Sequence, residues 1–186
     1  MHKPILFVAA VLVAGVAQAQ GMDHAGHHQE MDHAAHMAAM AKAQRQAEVA
    51  ERGKDVMPFS LSATRHIFTK TPQGGVQQVV ARNAADAPQV QLVRQHLRQI
   101  RDQFLSGDFS GPAHIHGDDM PGLAGLRAAR PGQIAVTYRD IAGGAELVYA
   151  TQEAPLVAAL HTWFDAQLSD HGRDAMAGHE HHGTHR

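Results

Sequence analysis

The sequence predicts an α+β domain: a duplicated ββα unit, its four-stranded and mainly antiparallel sheet covered by helices on one face, flanked by His/Met-rich tails. Two observations predict the repeat. Strand-like segments meet twice at a glycine pair, Gly74-Gly75 and Gly143-Gly144. Each strand pair is followed by an Ala-Pro step, Ala87-Pro88 and Ala154-Pro155, that opens a run of helical period. A third observation, the crowding of histidine at both ends of the chain, predicts the tails.

Residues 65–70 (RHIFTK) and 76–81 (VQQVVA) read as two strands joined through the first glycine turn. The helix after Pro88 runs to about Phe104, with Val93, Leu97, Ile100 and Phe104 at helical spacing. In the second copy, residues 134–138 and 145–150 are the strands. A helix from Ala154 to about Ser169 carries Leu156, Leu160, Phe164 and Leu168 on one face. Upstream, the chain is Ala-rich from Met31 to Gly53, with strong helix formers and a glycine stop.

With 186 residues the chain has room for one domain and its appendages: a leader over 1–19, a His/Met- and Ala-rich, partly helical segment over 20–53, the α+β domain over 54–172, and a His-rich tail over 173–186. A net charge of -2 gives no positive field for nucleic acid, so that partner class is set aside. Absence of cysteine excludes disulfides, thiolate metal sites and cysteine nucleophiles. The leader combines Lys3, an apolar run from Ile5 to Val16, and the small-x-small site Ala17-Gln18-Ala19. That run is shorter than the roughly 20 residues a bilayer span needs. Export to the periplasm without a stable membrane anchor is the expectation.

Histidine is the outlier, at 16 residues, accompanied by 8 Met. Met22-Asp23-His24-Ala25-Gly26-His27 is followed by Met31-Asp32-His33-Ala34-Ala35-His36, a duplicated M-D-H-A-x-H, with His28 between the copies. On a helix, His33, His36, Met37 and Met40 share a face. Imidazole suits several transition metals, but thioether sulfur is soft and selects Cu(I), so Met alternating with His points to copper, with zinc less favoured. His171, His179, His181, His182 and His185 repeat the imidazole chemistry at the other end. Against this, a low-complexity tail chelates metal incidentally, and a methionine stripe on a helix is commonly a packing face.

These tails resemble the methionine- and histidine-rich stretches of periplasmic copper-resistance proteins, over about residues 22–40 and 171–186. The segments IHGDDMPGL (115–123) and WFDAQLSDHG (163–172) resemble a family of uncharacterised exported proteobacterial proteins, sometimes labelled aspartate carbamoyltransferase. That activity is rejected: the chain is too short for such an enzyme's two domains and carries no carbamoyl-phosphate motif.

The long connection between the two units, 105–132, contains His114-Ile115-His116-Gly117-Asp118-Asp119-Met120. In extended backbone His114 and His116 would point the same way, with Asp118, Asp119 or Met120 as a third ligand. Alternatively, Asp118 or Asp119 caps a short helix beginning at Pro121, with the histidines lining a turn. His66, His96 and His161 each read as core histidines satisfied by a backbone partner. Convergence of two or more of them with His114 and His116 would instead build a type-2 copper or zinc centre. Met57-Pro58-Phe59 reads either as a packing staple or as a copper contact.

No nucleophile elbow, phosphate loop or H-E-x-x-H is present. The function predicted is a periplasmic copper-binding protein that sequesters copper or transfers it to a copper exporter or cuproprotein. The alternative is an exported small-molecule-binding or metal-dependent enzymatic domain, its tails chelating incidentally.

Overall fold

The computed structural model describes residues 24–179, with side chains from residue 31 onward. The chain divides into two compact units, 1–37 and 38–186. Helix α1 (His24–Gly53) begins in the first and supplies all of its described residues.

The second unit is α+β. Strands β1 (Thr64–Thr71) and β2 (Gly74–Ala81) form a hairpin followed by α2 (Ala87–Ser106). Two short helices, α3 (Ser110–His116) and α4 (Leu123–Arg127), fill the connection. A second hairpin, β3 (Ala135–Ile141) and β4 (Gly144–Ala150), precedes α5 (Ala154–His171). The Asp86 carboxylate accepts from the Gln89 amide, and Pro88 lies in the first turn of α2, as a helix start requires. At the other end of α2, Gly107 takes the left-handed conformation (φ 74°) that stops the helix.

The sheet has five strands in the order β3-β4-β2-β1-β5, where four antiparallel strands were expected. The extra strand, β5 (Ala175–Ala177), pairs parallel to β1, with His66 opposite Ala175 and Phe68 opposite Ala177, making the sheet mixed. The remaining ladders are antiparallel, with Phe68 opposite Gln77 and Gln77 opposite Leu147.

Alternation on β1 buries Thr64, His66 and Phe68 on one face. On that face Phe68 stacks with Phe164 of α5 at 5.1 Å between ring centroids, and Tyr149 of β4 meets Phe104 of α2 at the same separation. Helices α2 and α5 therefore cover the same side. Gly75 lets Phe164 come this close, since a Cβ there would stand 2.4 Å from Phe164 Cε2. Val49, Met57 and Phe59 are buried in the same core, so the end of α1 and the MPF segment contribute to it.

Candidate functional site

The covered face of the sheet does not close completely on its helices. A cavity of about 60 Å³ remains between β1, β2, α2, α3 and α5. Four histidines from four separate elements line it: His66 from β1, His96 from α2, His116 at the end of α3 and His171 at the end of α5.

Each position follows from local structure. His66 is inward because it alternates with Thr64 and Phe68. His96 shares the buried stripe of α2 with Val93 and Leu97. His116 and His171 sit on last helical turns, where α3 and α5 end beside each other. The ring centroids of His66 and His171 are 4.9 Å apart, and those of His116 and His171 are 5.1 Å apart. Phe59 meets His66 and His96 edge-on, at 5.9 and 5.5 Å.

One charged pair anchors this group. Asp170 Oδ2 lies 2.7 Å from His116 Nδ1, and the same carboxylate accepts from Arg45 Nη2 at 2.7 Å and Nε at 3.2 Å. Arg45 also donates to the His116 carbonyl at 2.6 Å. Burial alone would raise the Asp170 pKa, but hydrogen bonds from His116 and Arg45 outweigh it and hold the carboxyl well below its usual range. An ionised Asp170 can only accept, so His116 Nδ1 donates to it.

The other three imidazoles are neutral. Burial pushes His66 down to about 3, with repulsion from His96 and His116 adding to it, and pushes His96 down to about 4. His171 is lowered by burial and by its His66 and His116 neighbours, only partly offset by Asp170. Two of these rings also leave a nitrogen without a partner, His66 Nε2 and His96 Nδ1, and Trp163 Nε1 on the same cavity is unpartnered too.

The histidine-x-histidine motif does not form a pair of ligands. It lies on α3 rather than in extended backbone, and residues two apart on a helix project about 200° apart. His114 is exposed and bonded to Asp55 at 3.0 Å, whereas His116 is buried against Asp170. Asp118 is exposed and paired with Arg127 at 2.8 Å, and Met120 is buried in the core. The expected cap at Pro121 is also corrected: α4 starts at Leu123, its N-cap is Gly122, and no side chain caps it. His161 behaves as a satisfied structural histidine, its Nε2 shared between the carbonyls of Thr71 and Gly74 at 3.0 and 2.9 Å. His66 and His96 do not, since neither buried nitrogen finds a backbone partner.

On α1, His33 and His36 are exposed, as are Met31, Met37 and Met40 at 60%, 55% and 58% of their surface. His179 is exposed as well. Met22, His181, His182 and His185 lie outside the described residues, as does the leader, and His24, His27 and His28 are placed only as helical backbone. Among the described residues no group of three or more His, Cys, Asp or Glu is arranged to hold a metal ion, and no helix is long and apolar enough to cross a membrane.

Sequence reasoning missed Arg45, Asp170 and Trp163. Asp170 was findable as an acidic residue beside a histidine at a helix end, but its partners at 45 and 116 are distant in sequence. Neither a family model, a curated protein nor a solved structure matches the chain.

Proposed function

We propose that this is an exported copper-binding protein, in which exposed imidazole and thioether side chains on α1 and in the C-terminal segment buffer copper or pass it to an exporter or cuproprotein. The observation that carries this reading is the exposure of Met31, Met37 and Met40 beside His33 and His36. A packing role for the methionine stripe would bury it, and these side chains are left to solvent. On a helix, donors three and four residues apart stand about 5–6 Å apart at Cβ, close enough for neighbouring turns to share an ion. Sulfur among the donors favours Cu(I) over zinc.

Support for export comes from the leader-like first 19 residues. The hairpin-then-helix order occurs twice, at β1-β2-α2 and β3-β4-α5, and we read it as a duplicated ββα unit.

Equilibrium dialysis of the mature chain against copper tests this. Compared with a variant carrying His→Gln at 33, 36, 179, 181, 182 and 185, the unsubstituted chain is expected to retain more copper per chain. Equal retention by the two would refute the assignment to these segments.

A further inference from the structure

Three residues that each hold a buried ring nitrogen without a partner line one cavity. His66, His96 and Trp163 are 4%, 4% and 2% exposed, each leaves a ring nitrogen unpaired, and all three line the same space. Leaving a buried donor or acceptor unpaired is costly, so three such residues on one cavity wall favour a polar group there. At about 60 Å³ the cavity exceeds the ~10–15 Å³ that one water requires.

The rest of its wall limits what fits. Leu97, Ile100, Phe104, Phe109 and Val79 make it largely apolar. Gln103, Asp108, Gly111 and Pro112 are partly or wholly exposed, so the cavity reaches solvent between the end of α2 and the start of α3. Behind His116, Asp170 is neutralised by Arg45, and the carboxylate on the wall, Asp108, is exposed at the opening. A cation is disfavoured because no three His, Cys, Asp or Glu side chains among the described residues are grouped for an ion.

We propose that this cavity binds a small uncharged organic molecule with an apolar body and one carbonyl or hydroxyl group, whose oxygen accepts from Trp163 Nε1–H and pairs with the free ring nitrogen of His96 or His66. Such pockets, mostly apolar with a few convergent polar groups, are the common form of small-molecule sites. The proposal is independent of copper binding by the exposed segments.

Trp163 is the only tryptophan in the chain, so its indole N–H resonance reports the cavity alone. Metal-free mature protein is titrated with cyclohexanone, and separately with methylcyclohexane, which has similar bulk and no acceptor. Cyclohexanone is expected to give a saturable shift of the Trp163 Nε1–H signal, and methylcyclohexane a much weaker one. Ile100→Phe, which fills the opening, is expected to abolish the shift. His96→Leu removes an unpaired nitrogen without removing bulk. It is expected to weaken cyclohexanone binding several-fold while the melting temperature holds or rises, a combination a purely structural His96 would not give. The absence of a saturable shift in the folded wild-type chain overturns the proposal. So does an equal response to methylcyclohexane, or a Zn(II) or Cu(I) titration that moves the indole signal and blocks the ketone.

Discussion

His116 and Asp170, separated by 54 positions in the chain, are joined by a 2.7 Å hydrogen bond that is almost wholly enclosed, and Arg45 closes the other side of the carboxylate. This contact ties the ends of α3 and α5 to α1. Replacing Asp170 with Ala strands a buried imidazole N–H and a guanidinium together, which is expected to lower stability by about 2–3 kcal/mol. Arg45→Ala should cost less, because Arg45 is 37% exposed and water replaces part of what it loses. Urea unfolding of the two variants checks the order; a larger loss for Arg45→Ala would contradict it.

Acid should destabilise the domain well before its carboxylates titrate. His66 and His96 are held at about 3 and about 4 when folded, against an ordinary value near 6.5. The unfolded chain therefore binds more protons below pH 6.5, and stability falls as pH drops from about 6.5 toward 4. Each neutral imidazole contributes up to about 1.4 kcal/mol per pH unit to that slope. Asp170 acts in the same direction in a lower window: its folded pKa is also depressed, so its contribution is present above the ordinary carboxylate range and disappears as pH falls toward its folded value. Chemical denaturation at pH 7.5, 6 and 5 is expected to show a steep loss, reduced in His96→Leu. A flat profile would mean these rings are not buried.

The two histidines of the H-x-H motif should separate cleanly. His114→Ala removes an exposed side chain paired with exposed Asp55, and is expected to change stability by no more than about 0.5 kcal/mol. His116→Ala leaves Asp170 without its buried partner and opens space in the core, at a cost of roughly 2–4 kcal/mol. Thermal melts of the two single variants decide this. Similar losses at both positions would restore them as one functional pair.

Gly75 is fixed by a ring rather than by a turn. Its Cβ would stand 2.4 Å from Phe164 Cε2 and 2.8 Å from the Thr69 carbonyl oxygen. Gly75→Ala is therefore expected to lower the melting temperature, with a cost of about 1–3 kcal/mol typical of overpacking. Pairing it with Phe164→Leu should recover part of the loss, and an unaltered melt for Gly75→Ala alone would refute the close approach.

What was legible in the sequence was local. The hairpins were readable because alternation marks their strands and a glycine pair stands near each turn, although the first turn itself is Pro72-Gln73 and Gly74 already opens β2; α2 was readable because Ala87-Pro88 opens a run of helical period. β5 was not, since three residues, Ala175–Ala177, have no period, and their pairing with β1 is a tertiary contact. Extended backbone was the expectation for the H-x-H motif, although Pro112 sits in the first turn of α3, a position proline favours. The imidazole cluster was foreseen as a condition and not as an arrangement. His66, His96, His116 and His171 come from four elements, and only the packing of α2, α3 and α5 on the sheet decides which of the domain's histidines meet.

The donor set itself provides the most direct test of copper binding. Met31→Leu, Met37→Leu and Met40→Leu together remove three exposed sulfurs and keep helix propensity and bulk. The mature chain and this triple variant are titrated anaerobically with Cu(I) against a chromophoric chelator, and in parallel with Zn(II). The unsubstituted chain is expected to draw Cu(I) from the chelator and the variant to draw measurably less, with Zn(II) binding the same in both. No withdrawal of Cu(I) by the unsubstituted chain, or identical Cu(I) curves for the two, would contradict the account.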